Sequence, residues 1–268
     1  MNQLRNYFVL AVLVLSACIL YILKSKTDEP VPTRRTVTIP KIEIEEDIRG
    51  NIVIIIDDFG YRDDNVSEGF LSLDADITFA IIPGHQNSKV FAAKADQNGY
   101  EVIVHMPMEY TNETRGEKEY KLTTSMTSDE IESKVEEVIS EFPEAVGMNN
   151  HQGSKATSDK RIMNIVGNVL KRHGKYFIDS RTSSETVAET TMRSRGVPTI
   201  RRHVFLDNEN QKNKIREQLY KLADKAELKG LAVGIGHAKT NTLKVLKQEI
   251  PRLKEHGFKF QFASFAVE

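Results

Sequence analysis

Tryptophan is absent from this 268-residue chain, cysteine occurs once, at Cys18, and neither sign of charge prevails: 37 basic side chains face 38 acidic ones, a formal net charge of −1. The lone cysteine excludes a disulfide-stapled scaffold and any cysteine-rich zinc module. The even balance of charge excludes a strongly basic nucleic-acid binder. Glycine (15) and proline (8) are too scarce for a fibrous or low-complexity chain, while 40% hydrophobic and 28% charged residues suit a globular protein with a full core. One α/β barrel of about 200 to 250 residues behind an N-terminal appendage fits the length.

The appendage begins with the longest apolar run, YFVLAVLVLSACILYIL from Tyr7 to Leu23, in which Ser16 is the one clearly polar residue. A membrane-spanning helix needs at least about 17 such residues, and a cleaved signal has an apolar stretch of only about 7 to 15 followed by an A-x-A-like site, which is missing here. Residues 1–26 therefore read as a membrane anchor or signal segment, with the uncleaved anchor favoured. Secretion after cleavage is one alternative; lipidation at Cys18 is another, because Leu15-Ser16-Ala17-Cys18 is similar to a bacterial lipobox. Arg5 precedes the segment while Lys24, Lys26, Arg34 and Arg35 follow it, a distribution that by itself favours a cytoplasmic domain. Residues 27–50, with Pro30, Pro32 and Pro40 among mixed charges, read as a flexible linker, and the folded domain is expected over 51–268.

Within that domain short apolar runs alternate with amphipathic segments. The runs are 52–56, 77–82, 100–104, 145–148, 175–178, 199–206, 230–235 and 258–262. Near-continuous apolar runs of this length fit strands of a parallel sheet buried on both faces. Helical stripes lie between them: Ile131, Val135, Val138, Ile139 and Phe142 behind a capping box at Thr127-Ser-Asp-Glu130; Ile162, Ile165, Val166, Val169 and Leu170; Ile215, Leu219, Leu222, Ala223 and Ala226; and Leu243, Leu246, Ile250 and Leu253. Such β/α alternation predicts a barrel or an open doubly wound sheet, and the missing G-x-G-x-x-G turn after the first strand argues against a dinucleotide-binding sheet.

The polar residues that end these runs are the functional signal, because a β/α barrel builds its site where its strands end. IVIII leads into Asp57-Asp58, YEVIV into His105 and Glu109, AVGM into Asn149-Asn150-His151, KYFI into Asp179-Ser180-Arg181, and GLAVGI into Gly236-His237. A single aspartate after a strand is usually a cap. Two adjacent carboxylates repel each other unless a cation lies nearby, and an aspartate with two imidazoles from separate strands is a catalytic metal set that leaves a coordination position open. The mixed nitrogen and oxygen donors favour zinc among the divalent ions. His173 and His256 precede glycines at predicted helix ends and suit the helix dipole; His85 is placed near the mouth and His203 inside a strand run.

Six motifs in order, IIIDDFG, TFAIIPG, VIVHMPMEY, GMNNHQGS, FIDSRTS and GIGHAKTNT, resemble the divergent polysaccharide deacetylase family, a distant relative of the NodB-type carbohydrate deacetylases. The resemblance covers about residues 51 to 265. It implies a distorted (β/α) barrel of about seven strands that removes acetyl groups from an N-acetylated polysaccharide with the help of a divalent metal. By motif, Asp57 resembles the general base, Asp58 the metal-binding aspartate, His105 the first histidine of the H-x-x-x-H metal motif and His237 the general acid. The second histidine of that motif is Glu109 here, so His151 is expected to complete the set of Asp58, His105 and His151, with Glu109 in reserve. The relatives' arginine-proline motif is missing, and Arg181 is expected to take over its charge, either orienting Asp57 or binding the product acetate. Asp179 is expected to orient one of the site groups.

Anchor and family together imply an extracytoplasmic domain acting on a cell-envelope polymer such as peptidoglycan. Two other readings stay open: a non-catalytic envelope protein that keeps the fold and binds glycan or protein, and hydrolysis of a different amide or ester. Phe59, Tyr61, Tyr110 and Tyr120 are the aromatic candidates for stacking on a sugar ring.

Overall fold

A computed structural model describes residues 2–25, 48–112 and 117–267. The chain divides into two compact units, residues 1–45 and 46–268. The first contains helix α1 (Asn2–Ser25), in which the side chains described, residues 11–24, are exposed. Among the described residues no helix is long and apolar enough to cross a membrane. The expected linker, up to residue 47, lies outside the described residues.

The second unit runs β1 (Gly50–Phe59), α2 (Asn65–Phe70), β2 (Thr78–Ile81), α3 (Ser88–Gln97), β3 (Glu101–Met108), α4 (Ser128–Glu141), β4 (Gly147–Gln152), α5 (Lys160–Arg172), β5 (Tyr176–Asp179), α6 (Ala188–Arg195), β6 (Thr199–Arg201), β7 (Val204–Phe205), α7 (Lys212–Lys229), β8 (Leu231–His237), α8 (Thr240–Glu255), β9 (Phe258–Gln261) and α9 (Ala263–Ala266). Every strand pairing is parallel, in the order β6-β5-β4-β3-β2-β1-β8-β7, and β9 pairs with the start of β1.

The apolar run 199–206, one strand by pattern, is split into β6 and β7. Its first part pairs with β5 and its last part with β8, so this single stretch of chain closes the barrel. At the crossing, Arg202 N donates to Asp179 O (2.9 Å) on one side and His203 N donates to Val233 O (2.8 Å) on the other. Counting the bent run once, the ring has seven staves, with β9 as an addition below; this is the distorted barrel of the family resemblance.

Side chains alternate between two cores because successive strand residues point to opposite faces. Ile52, Ile54 and Ile56 of β1, Val102 and Val104 of β3, Phe177 of β5 and Ala232 of β8 pack outward under the helix stripes. Val53, Ile55, Ile103, Ile178, Val233 and Ile235 fill the interior with Ala263 and Ala266 of α9, which plugs the lower end. All five residues Ile52 to Ile56 are fully buried, each worth about 1.5–3 kcal/mol. The capping box forms as expected: Thr127 Oγ1 accepts from Glu130 N (3.3 Å), and Glu130 Oε2 accepts from Thr127 N (2.7 Å).

Candidate active site

The interior columns determine which polar residues meet. Continuing each column by two residues toward the C-terminal mouth carries β1 from Val53 and Ile55 to Asp57, β3 from Ile103 to His105, β4 from Gly147 through Asn149 to His151, and β8 from Val233 and Ile235 to His237. Parallel register aligns them, pairing Asp57 with His237 and His105 with Asn149. These residues lie within the strand ends, since β3 and β4 extend past the apolar runs to Met108 and Gln152. In a strand, Asp58 would point outward. Its φ of +69°, at a register shift between Ile56 and Phe59, turns it back to the mouth.

Four non-glycine residues have left-handed backbone among those described: Asp58, Glu117, Gln152 and Arg181. Each such conformation costs on the order of 1–3 kcal/mol, and all four surround this mouth. After His151 the chain turns through Gln152 (φ +56°) and Gly153 (φ +87°), where a Cβ would stand 2.8 Å from Met108 Cβ. Only glycine fits that second position.

Asp58 Oδ1 lies 3.3 Å from His105 Nε2 and 3.2 Å from His151 Nδ1, and the two ring nitrogens are 3.0 Å apart. That oxygen is buried and makes no well-formed hydrogen bond. Three electron-pair donors so close together call for a cation. A tetrahedral ion with bonds of about 2.0–2.1 Å separates its ligands by about 3.3 Å, so the three atoms fit a small divalent metal. Among the described residues this trio is the one cluster of metal-ligating groups.

The electrostatics separate the two adjacent carboxylates. Burial pushes the Asp57 carboxyl above the usual carboxylate range, and His105 and His237 offset it only in part. Burial would raise Asp58 too, but the imidazoles of His105 and His151 outweigh that and hold it far below the usual range. Burial lowers His105, and the carboxylates of Asp57 and Asp58 more than reverse this, raising it to about 9. A site this eager to hold a proton between acidic groups is also one that welcomes a metal in its place. The two neighbouring carboxylates therefore sit in opposite environments, Asp57 raised and Asp58 lowered.

Asn149, fully buried on β4, links the cluster to Asp57: its Oδ1 is 2.6 Å from His105 Nδ1 and its Nδ2 donates to Asp57 Oδ1 (2.8 Å). His237 is held by Asp207, whose Oδ1 faces Nδ1 at 2.8 Å and whose Oδ2 accepts from His237 N (2.9 Å) and Thr242 Oγ1 (2.7 Å). Burial lowers the His237 imidazole, but Asp207 then lifts it above its ordinary value; His237 Nε2 stays 3.9 Å from Asp58 Oδ2. Asp57, His105, His151 and His237 line a cleft of about 440 Å³ that also includes Tyr110, Ser180, Arg202, Phe205 and Ile235. A larger hollow of about 870 Å³ at the opposite end of the barrel contains no histidine.

Three sequence expectations change. Glu109 is turned away from the cluster, with Oε2 accepting from Thr124 N (2.6 Å) and Thr124 Oγ1 (2.7 Å) and Oε1 from Lys155 Nζ (2.7 Å), so it braces a loop and is no reserve ligand. Asp179 orients its own loop, accepting from Arg181 N (2.8 Å) and Thr186 Oγ1 (2.9 Å), and it is Asp207 that orients a site histidine. Arg181 is exposed at the rim; the cation felt at Asp57 is Arg202, whose Nε donates to Ser180 O (2.7 Å), whose Nη2 donates to Arg181 O (2.9 Å), and whose guanidinium lies 4.7 Å from the Phe205 ring centre.

The other aromatic and histidine residues also find their places. Phe59 is buried in a cluster with Phe70, Phe79 and Phe91 and cannot stack on a ligand. Tyr120 packs beside Gly84, whereas Tyr110 lines the cleft. Tyr61 donates to Glu117 and packs against His85 with ring centres 4.0 Å apart and planes tilted by 48°, and Glu117 Oε2 stands 3.9 Å from His151 Nε2. His203 serves the seam, its Nδ1 accepting from Val233 N (2.9 Å). His173 and His256 sit at the ends of α5 and α8.

Asp207, Arg202 and Glu117 were not anticipated from the sequence, and Asn149 stood among the strand-end residues without a role. Asp207 had a visible signal, as the acidic residue that ends the run 199–206. Arg202 sits within that same run, and Glu117 lies in a loop that no periodicity points to.

The structure is thus a seven-stave β/α barrel with a paired-aspartate, three-histidine mouth, the arrangement expected from the family resemblance. Residues 54–267 match the sequence profile of the divergent polysaccharide deacetylase family, and the chain belongs to it. The uncharacterized protein YibQ of Escherichia coli K12 is 37% identical over 206 residues, 77% of this chain and 64% of YibQ. An uncharacterized Haemophilus influenzae protein is 30% identical over 207 residues, 77% of this chain and 73% of its own length. The chain thus spans less than two thirds of the first of these relatives. The crystal structure of an uncharacterized Agrobacterium tumefaciens C58 protein superposes with a TM-score of 0.77 at 16% identity, covering 81% of this chain and 89% of that one, and shares the fold.

Proposed function

We propose that the barrel is a metal-dependent hydrolase that removes acetyl groups from an N-acetylated polysaccharide of the cell envelope. The observation that carries this reading is the pairing of Asp57 with His237 on adjacent strands, both bordering the Asp58, His105 and His151 cluster and both open to one cleft. A pure binding site has no need of a proton acceptor and a proton donor flanking a metal cluster.

The ion, with zinc favoured by the donor set, would supply Lewis acidity for the amide oxygen and an acidified water. Asp57, the more basic of the two carboxylates, takes the proton from water as its oxygen adds to the acetyl carbon. His237, whose proton affinity Asp207 raises, delivers a proton from Nε2 to the departing amine, so the C–N bond breaks to give acetate and a free amino sugar. Arg202 contributes positive charge beside Asp57, and Phe205 and Ile235 offer an apolar wall for the acetyl methyl.

The apolar run of residues 7–23 is the ground for a tether, and family membership is the ground for placing the barrel outside the cytoplasm, near a polymer such as peptidoglycan. The test is bound metal together with acetate release from N-acetylglucosamine oligomers and peptidoglycan, with Asp57→Asn as control. Stoichiometric metal in both proteins and release in the wild type alone is the expected result. Metal without release from any glycan would turn the reading toward the non-catalytic binder.

A further inference from the structure

We propose that Asn149 is a positioning residue for both halves of the site, fixing the tautomer of the ligand His105 and selecting the working oxygen of Asp57. This inference rests on the metal-dependent reading above and adds to it the group that couples ligand to base. Asn149 is fully buried on β4, opposite His105 in register, and the Asp57 it touches is 92 residues earlier in the chain.

The amide can face only one way. A carboxylate offers acceptors alone, so the Asn149 atom 2.8 Å from Asp57 Oδ1 must be the NH₂ donor. The amide oxygen then faces His105 Nδ1 at 2.6 Å, and that nitrogen must carry a hydrogen. In a neutral imidazole the lone pair is left on Nε2, which is the nitrogen turned toward Asp58 Oδ1 and His151 Nδ1. Flipping the amide would press its oxygen against a carboxylate and its NH₂ against a ring nitrogen that then has to give up its proton, which puts the hydrogen on Nε2 and blocks the ligand position.

The same bond acts on the base. Asp57 Oδ1 is engaged by Asn149, so Oδ2, 3.7 Å from His105 Nε2, is the oxygen left facing the cluster. One side chain with a single acceptor and a single donor in these positions therefore aims a lone pair and frees an oxygen. Leucine provides neither, and aspartate provides only the acceptor. The neighbouring Asn150 serves a different purpose: its Oδ1 accepts from Ser180 N (2.9 Å) and its Nδ2 donates to Gln152 O (2.7 Å), which shapes loops.

The test uses the 268-residue chain and its Asn149→Leu and Asn149→Asp variants, with zinc affinity from chelator competition, nitrogen-15 signals of the His105 ring in metal-free protein, and acetate release. Asn149→Leu is expected to lose the Nδ1–H preference and to bind zinc about 10–100-fold more weakly. Asn149→Asp is expected to keep the tautomer and lose less than about tenfold in affinity, while acetate release falls at least about a hundredfold. Unchanged tautomer and affinity in Asn149→Leu overturn the proposal. Should Asn149→Leu fail to fold, Asn149→Asp decides: zinc kept with release lost supports the role, and full release overturns it. If the wild type binds zinc but releases no acetate, while Asn149→Leu still weakens zinc, the deacetylase reading fails and the role of Asn149 toward His105 stands.

Discussion

Replacing Asp207 by asparagine keeps the shape of a fully buried side chain and removes its charge. The carboxylate accepts three bonds: from His237 Nδ1 (2.8 Å), His237 N (2.9 Å) and Thr242 Oγ1 (2.7 Å). An amide has two ways to sit there. With its oxygen toward Nδ1, its NH₂ faces the His237 backbone N–H, and one buried donor is orphaned at about 1–3 kcal/mol; the bond to the imidazole, once charged, also weakens by about 1 kcal/mol. The total is about 3 kcal/mol, or a fall in Tm of roughly 6–12 °C for a domain of this size. With its NH₂ toward Nδ1, the backbone bond survives, but that ring nitrogen must stay unprotonated and His237 cannot hold the second proton of a general acid. Turnover then falls by about 10²–10⁴. Thermal unfolding of the full chain and acetate release from an N-acetylglucosamine oligomer measure both branches. A variant within about 2 °C of wild type and undiminished in release refutes the reasoning. The sign of the pH dependence gives a second check. Burial would raise Asp207, but bonds from His237 and Thr242 hold it below the ordinary range. Its contribution is therefore complete above about pH 3.9 and is lost as pH falls through the depressed value. The Tm gap between wild type and variant seen at pH 7 should close on acidification.

Two further outcomes follow from the same geometry. His151→Ala should abolish stoichiometric metal by elemental analysis, whereas Glu109→Gln, whose carboxylate braces Thr124 and Lys155, should retain it; the reverse pattern would return Glu109 to the ligand set. Glu249, fully buried on α8, takes bonds from Arg216 Nε (2.8 Å) and Tyr220 OH (3.0 Å) of α7 and from Arg252 (3.2 Å), and these outweigh burial to lower its pKa. With its arginine partners half exposed, Glu249→Gln should cost only about 1–2 kcal/mol. That loss is expected above about pH 4.3 and should vanish as pH falls through the lowered value, with metal content unchanged; thermal unfolding across pH measures it.

The barrel was legible because strands buried on both faces leave continuous apolar runs, and the helices between them leave stripes. Asp57, Asp58, His105, His151 and His237 were legible because each follows such a run. Continuing an interior column by two residues accounts for four of them, while Asp58 depends on a left-handed turn that no pattern announces. Asn149 was in view among the strand-end residues, but an asparagine reads as a turn residue until its partners are known. Arg181 was expected to supply the positive charge in place of the relatives' missing arginine-proline motif, whereas Arg202, a charged residue inside an apolar run, carried no signal of a site role. In the fold, Arg202 occupies the place where the run leaves one edge of the sheet for the other.

That crossing gives the barrel an adjustable circumference. Elsewhere neighbouring staves are locked by ladders of parallel pairs, and changing the length of any one would shift a whole register. At residues 202–203 the ladders give way to the chain itself, one backbone N–H to O bond on each side, and side-chain bonds from Arg202 to Ser180 O and Arg181 O and from Val233 N to His203 Nδ1. An insertion or deletion there would widen or narrow the ring while leaving every ladder intact. Because Arg202 and Phe205 line the cleft, a change of length in this short span would reshape the cleft while leaving the Asp58, His105 and His151 cluster on its own strands.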